Sequence, residues 1–568
     1  MTNEFITITL KDFLFNAGVV GFIKVLRYEN FNLEEQEHGN TVKIPVSMLE
    51  NFHENYIKTM LDTFQDETLY QSLIAQYEIF SESRPEDISR EDYENYIKKL
   101  SDKLTSASYK SGYQIIQEKG DNFDVISKVK MLKDEKDIVK SMNICKELIQ
   151  YMKKHRDILC MKDIIYTKIN MFWQGVAFLN TSNAKKDIKE CYYRDFVQPA
   201  LQYLERKNKG LLQCIQCGNP INTSIGRGMS WLNDVGIDIA RKRSHFWNFN
   251  PDTYICPICA LVYSCVPLGF TIVGPEAIFI NNNESIHELV AEKNIFERGG
   301  DKYTTSNQLY YSVLYSFIDD ATQEQTKEIQ NIQIIRRISI DMETGKYIFN
   351  TLSKPLLEIL KACRINFRNL LNWTFKDKDN YINVYQEVID NFFSGRNQYA
   401  LVHTILQKVF TENLKAPYLK DILQIQRRRM RRFYSEEGGS GVMYITQKEF
   451  NAAYNEGMRI REQYAKMIFE AKGGKDEKDK DSKINESLRS FVYPLLLSLK
   501  TKDKAKFNDT MFRFYVGRSE SIPKILVEMQ LSDEKFQMLG YTFVAGLQGK
   551  SLDSGKDIEN NEINEEVD

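Results

Sequence analysis

The chain has 568 residues with 42% hydrophobic and 12% aromatic content, which suits about two to four domains with their own cores and excludes a disordered scaffold. Its 76 Lys and Arg against 78 Asp and Glu leave a formal net charge of −2, so a uniformly basic nucleic-acid binder is excluded and any polyanion contact must come from local patches. Five of the nine cysteines (Cys145, Cys160, Cys191, Cys265 and Cys363) show no framework spacing, and the N-terminal residues lack the basic start of a signal peptide, so a cytoplasmic protein is expected.

In chain order, Phe13, Ala17, Val20 and Ile23 recur at helical spacing, and Ala17, Gly18 and Gly21 are small enough to let this helix approach a neighbour closely. Residues 27–46 alternate and turn as a strand pair. From 47 to 207 the text is mostly helical, rich in Tyr, Lys, Glu and Ile.

The most informative segment spans 211–262. Cys214 and Cys217 form one Cys-x-x-Cys pair, Cys256 and Cys259 a second. Four thiolates in two tight turns suit a structural zinc ion; a single pair could be a redox dithiol, but two pairs on one chain argue for metal. Four protein ligands leave no open position for chemistry. Between the pairs stand Arg227, Trp231 and the run Arg241, Lys242, Arg243, Ser244, His245, Phe246, Trp247, Asn248, Phe249, Asn250. Basic residues followed by aromatics and amides suit phosphate contact plus base contact. The alternative is that these aromatics cover the small metal-tied lobe and leave the charges in solvent.

Residues 260–275 are free of charge but broken by Pro267, Gly269 and Gly274, which predicts buried strands and no membrane span. Strands are also expected at 270–273, 277–280, 336–342 and 347–350. Asn281, Asn282 and Asn283 at a strand end can cap the helix beginning near Ser285 or read base edges; capping is the preferred reading. From Pro355 the period is helical almost throughout, with apolar faces at Leu356, Ile359, Leu360, Cys363, Phe367, Leu370 and Leu371 and at Leu401, Val402, Ile405, Leu406, Val409 and Phe410. Helices are expected near 444–471, 485–500, 505–516, 522–531 and 533–547, the last capped by Ser532. The expected organisation is α+β: a mixed N-terminal domain over 1–350 carrying the zinc knuckle, an all-α helical bundle over 351–548, and a disordered acidic tail over 549–568.

Arg427, Arg428, Arg429, Arg431 and Arg432 are the densest positive charge. Five arginines over two turns cover more than one helix face, which suits phosphate-backbone binding or a solvated helix. Catalytic signals are thin. Gly546 to Ser551 mimics a phosphate loop but has Val544 in place of the first glycine and no following helix. The six histidines are dispersed, and the expectation is a binding protein with no catalytic residues.

Taken in order, Asn16, Ala17, Gly18, Val19, Val20 and Gly21, the two cysteine pairs, the basic Ser-His-Phe-Trp-Asn-Phe run, and the strand ending in Asn281, Asn282 and Asn283 with Leu289 and Asn294 beyond resemble the large subunit of the type I-B CRISPR surveillance complex, Cascade, in its zinc-knuckle lineage. The resemblance implies a non-enzymatic subunit that inspects the protospacer-adjacent motif in duplex DNA, helps open it, holds the displaced strand and recruits a separate helicase-nuclease. It also implies partners in a guide RNA and backbone subunits. Base pairing then reads the remaining sequence, as in other guide-RNA effectors. The expected contacts are Arg227, Arg241, Lys242, Arg243, His245, Trp247, Asn248 and Asn282, with the arginine run beyond. Internal initiation at Met443 is a further expectation. Codons for Glu437, Gly438 and Gly439 can spell a ribosome-binding sequence, and related systems make a small subunit this way; the competing reading is a flexible glycine linker. A free-standing zinc-knuckle nucleic-acid binder outside any guide-RNA complex is the alternative function.

Overall fold

The computed structural model describes residues 5–84, 87–206, 210–236, 253–283, 285–291, 333–340, 344–351, 353–436, 445–470 and 480–549, with scattered positions between 305 and 315. The chain divides into two compact units, one of Met1–Ser306 with Asn331–Thr351, the other of Asn307–Gln330 with Leu352–Asp568.

The first unit is mixed. Its first helix, Phe13–Leu26, starts where the Asp12 carboxylate accepts the backbone N–H groups of Leu14 and Phe15. It is apolar on nearly every face and therefore runs through the core. Two helices lie against it, Pro257–Ser264 and Val266–Gly269. A Cβ at Gly21 would stand 2.1 Å from the Cys265 carbonyl oxygen, and one at Gly269 would stand 2.0 Å from that of Ala17. Backbone meets backbone here, as the small residues imply. The expectation of strands across 260–275 is corrected over its first part. Residues 260–269 are helical, because a segment buried on all sides can satisfy its backbone internally and periodicity alone cannot separate it from a buried strand.

A three-stranded antiparallel sheet covers the start of the first helix: β1 (Phe5–Thr9), β2 (Glu37–His38) and β3 (Thr41–Pro45), in the order β1-β3-β2. Ile6 pairs with Ile44 and Ile8 with Val42, all four buried. Residues 27–46 thus supply only a short hairpin, and the main partner of β3 is β1, a strand that was not expected. Helices from Phe52–Phe64 to Arg156–Ile164 follow, several opened by side-chain caps such as Thr68 on Gln71 N, Ser106 on Tyr109 N and Asp137 on Val139 N. After the short hairpin of β4 (Leu212–Gln213) and β5 (Pro220–Ile221) comes an antiparallel sheet of β6 (Thr271–Val273), β7 (Glu276–Asn281), β8 (Gln333–Ser339) and β9 (Gly345–Thr351). Within β8, Arg336 and Arg337 are fully buried, and their charges are met by Glu276 at 3.4 Å and Asp234 at 2.8 Å.

Among its described residues the second unit is helical apart from one hairpin, β10 (Thr374–Asp377) and β11 (Asn380–Asn383), which interrupts the helical stretch expected from Pro355. Leu360, Cys363, Phe367 and Leu370 form one buried face, and Val402, Ile405, Leu406 and Phe410 another. Helices Gln447–Glu470, Lys480–Thr501, Lys504–Val516 and Asp533–Gly546 build the end, and Ser532 accepts Lys535 N at 3.1 Å as its cap. Of the expected acidic tail, 549–568, only Gly549 is described, its carbonyl accepting Tyr454 OH at 3.1 Å, and the remaining residues lie outside the described residues.

Candidate metal centre and nucleic-acid interface

Two local structures present the four cysteines. The β4–β5 hairpin carries Cys214 and Cys217, with Cys214 N donating to Asn219 O at 2.8 Å and Gly218 N to Cys214 O at 2.8 Å. Gly218 turns the chain at φ +76°, a left-handed value that glycine adopts without strain. The second pair sits at a helix start: Cys256 is the N-cap of Pro257–Ser264, and its sulfur accepts Cys259 N at 3.4 Å. Proline in the first turn needs no amide donor there. Cys256 N also donates to Cys214 Sγ at 3.1 Å, so a backbone amide of one pair supports a sulfur of the other.

The four sulfurs lie within 4.8 Å of one another, with Cys214 to Cys259 at 3.8 Å and Cys217 to Cys256 at 3.6 Å. A tetrahedral ion with metal–sulfur bonds of about 2.3 Å separates its ligands by about 3.8 Å. The residues therefore fit a four-thiolate metal site. Its electrostatics agree. Hydrogen bonds from Cys217, Cys256 and Cys259 hold the Cys214 thiol far below its ordinary range, and hydrogen bonding to Cys214 and Cys217, together with burial, pushes Cys256 and Cys259 far up. Only a cation lets all four ionise together.

A hydrogen-bonded ring supports the knuckle. Gln216 Nε2 donates to Asp12 Oδ2 at 2.8 Å, and Tyr263 OH donates to Gln216 Oε1 at 2.9 Å. Asp12 thus caps the first helix and holds the residue between two metal ligands. At the other end of the knuckle helix, Ser264 O accepts Tyr56 OH at 3.2 Å and Trp173 Nε1 at 3.1 Å. Asp12, Gln216, Tyr263, Tyr56 and Trp173 escaped the sequence reading; the polar pair Asp12 and Gln216 beside two motifs was the only signal.

The expected nucleic-acid contacts fare differently. Arg227 is half-buried, its guanidinium 4.4 Å from the Phe196 ring centre and 5.0 Å from that of Trp231, with Nη1 donating to Asp195 O at 2.5 Å. Burial pushes it down to about 10. Its backbone bridges Ile255, beside the second pair. In this fold Arg227 is a packing strut. Asn282 is buried, with Nδ2 donating to Glu288 Oε2 at 3.3 Å, and so does not present its amide to a base edge. Among the described residues Ser285 Oγ accepts Glu288 N at the start of the next helix, while Asn16 Nδ2 donates to Asn281 Oδ1 at 2.8 Å and Asn283 Oδ1 at 2.6 Å.

Arg427 and Arg429 are also turned inward. Arg427 Nη1 donates to Ile445 O at 3.2 Å and Arg429 Nη1 to Asn391 O at 2.9 Å. Buried and engaged, neither is placed for phosphate contact. Arg428 is half-buried, and Arg431 and Arg432 continue the helix Leu419–Glu436. Arg241, Lys242, Arg243, His245, Trp247, Asn248 and Met443 lie outside the described residues. Among the described residues no helix is long and apolar enough to cross a membrane.

No curated protein matches the chain. Residues 207–271, which hold both cysteine pairs, the insert between them and the knuckle helix, match the model of a family described as CRISPR-associated protein (Cas_CXXC_CXXC). The match and the four-sulfur geometry together support a CRISPR-associated protein with a cysteine metal site.

Proposed function

We propose that this chain is the non-catalytic large subunit of a type I-B CRISPR-guided DNA surveillance complex, with a structural zinc ion on Cys214, Cys217, Cys256 and Cys259. The observation that carries the reading is the convergence of the motifs behind the resemblance. The knuckle is tied through Gln216 to Asp12 at the head of the first helix, and one turn on Asn16 is tied to Asn281 and Asn283 at the end of β7. Separate, distant motifs thus form one hydrogen-bonded assembly around a segment of CRISPR-associated type. In this role the subunit inspects the protospacer-adjacent motif, aids duplex opening, holds the displaced strand and recruits a helicase-nuclease, while guide RNA reads the remaining sequence.

The basic and aromatic run 241–250 is the proposed contact surface. Its flanks are well held. Asp234 accepts Arg337 Nε at 2.8 Å and Gly345 N at 2.7 Å, and Ile255 is bridged to Arg227. We also propose a second product from Met443. Helices Gln447–Glu470 and Asp533–Gly546 pack on each other, with Lys535 Nζ 2.7 Å from Glu449 Oε1, which supports a piece with its own core.

The test is capture of the C-terminally tagged chain from its native cell, with sequencing of the RNA it retains. Short RNAs with one repeated end and variable interiors are expected. Intact, soluble protein without such RNA would overturn the complex and favour a solitary nucleic-acid binder.

A further inference from the structure

We infer that the cavity beside residues 165–184 of the first unit binds a single unstacked nucleobase. The cavity has a volume of about 650 Å³, within the range that encloses a small planar ligand. Tyr166, Phe178 and Trp231 line it. Tyr166 is 44% exposed although aromatic. Phe178 and Trp231 are buried and form its apolar wall, whereas Tyr166 offers an exposed ring on which a base can stack, worth about 1–3 kcal/mol per base.

The polar groups decide the ligand class. The side-chain amides of Asn170 and Gln174 and the hydroxyl of Ser230 line the same space, and none makes a hydrogen bond among the described residues. An amide offers a donor and an acceptor side by side, which is the pattern on the edge of a base. Among the described residues that line it there is no Asp, Glu, Lys or Arg. A metal ion or a free phosphate would be poorly held there, whereas a neutral heteroaromatic ring suits it. Lys185 and Lys186 are exposed and follow Ala184 of the cavity wall, where a nucleotide's phosphate would trail outward.

The backbone around the cavity is irregular and firmly held. Ile165–Ile169 is a π-helical turn, a feature that recurs at functional sites. Ala177 takes φ +47°, a value that side chains rarely adopt. The Asp195 carboxylate accepts Ala177 N at 2.7 Å, and Asn183 Nδ2 donates to Ala177 O at 2.8 Å. These bonds hold the strained loop open beside the cavity instead of letting it relax.

The choice of a nucleobase over another neutral ring rests on the nucleic-acid role proposed above. RNA and single-stranded DNA share this chemistry, and the test separates them. Cells expressing the full tagged chain are grown with 4-thiouridine or with 5-iododeoxyuridine, irradiated, and the purified chain is digested for mass spectrometry of cross-linked peptides. Cross-links on the peptides containing Tyr166 or Trp231 are expected with one label, and that label names the source. The Asn170→Ala, Gln174→Ala double variant removes side-chain groups that no internal hydrogen bond uses, so it folds, and it should lower those cross-links at least tenfold. Cross-links confined to other peptides would overturn the base site and leave the proposed function standing. Absence of any nucleic-acid cross-link from soluble, metal-loaded protein would overturn both.

Discussion

Alanine at Gly21 is the sharpest perturbation this fold offers. Its Cβ would stand 2.1 Å from the Cys265 carbonyl oxygen and 3.0 Å from Leu268 Cβ, where ordinary contacts begin at about 3.4 Å. The first helix would have to withdraw by more than about 1 Å. The main obstacle is helix backbone, which cannot swing aside as a long side chain does. A gap of that size forfeits roughly a quarter to a half of each van der Waals contact along the seam. Overpacking costs about 1–3 kcal/mol, and the upper end applies because both partners are helical. Better helix propensity returns about 1 kcal/mol. The net loss of about 2 kcal/mol should lower Tm by roughly 3 °C in a unit of this size. Gly112→Ala is the control, because its Cβ would meet only side-chain atoms, of Leu159, Ile158 and Lys162, at 3.3, 3.5 and 3.9 Å, and it should be neutral or slightly stabilising. Thermal and urea unfolding of both variants, with metal release to a chelator as a second readout, make the comparison. A Gly21→Ala protein as stable as the parent would refute the backbone-to-backbone seam.

The purified chain should carry about one zinc per molecule by elemental analysis, and Cys256→Ser should lose it; full metal retention in that variant would remove the four-thiolate site. Burial pushes the Lys162 ammonium down to about 8. Its proton is therefore lost earlier in the folded than in the unfolded chain, the unfolded state binds more protons between about pH 8 and 10.5, and stability should rise across that window by up to about 3 kcal/mol. Lys162→Met should flatten that rise in pH-dependent urea unfolding, and an unchanged slope would refute it. Arg427→Ala and Arg429→Ala should each destabilise the chain by about 2–4 kcal/mol, because buried carbonyl acceptors lose charged donors, whereas Arg428→Ala should stay within about 0.5 kcal/mol. Stability unchanged with weakened nucleic-acid binding would return Arg427 and Arg429 to phosphate contact. Synonymous recoding of Glu436 to Gly439 should abolish a short product beginning at Met443, detected by immunoblot of the tagged C-terminus.

Much of the local structure was legible because it depends on local rules. Apolar spacing announced the first helix and the strands β7, β8 and β9, and a cap residue announced the Ser532-capped helix at the end. The cysteine pairs announced a metal site because ligand type and spacing are set by the ion. The helical nature of 260–269 was hidden: a segment apolar on all faces carries no periodicity, so its conformation is decided by what surrounds it. The hairpin β10–β11 was hidden for a related reason, since four-residue strands between strong helices leave too short a pattern to read.

Charge was the least legible property. A run of arginines states how much positive charge a helix bears but not where each guanidinium ends. Arg427 and Arg429 reach inward to backbone carbonyls, and Arg227 lies against two aromatic rings. A long side chain with a planar, strongly donating head finds such partners through space, and those partners are tens of residues away in the chain. The same holds for Asn16, whose amide meets asparagines 265 and 267 positions later. Sequence by itself pointed to the four-cysteine site, the mixed class and the approximate extents of the C-terminal helices, because each follows from neighbours a few residues apart. Tertiary structure alone decided which polar groups face inward, what holds the knuckle in place, and that the free amides of Asn170 and Gln174 share one cavity with Trp231, because those outcomes depend on contacts between distant residues that spacing does not encode.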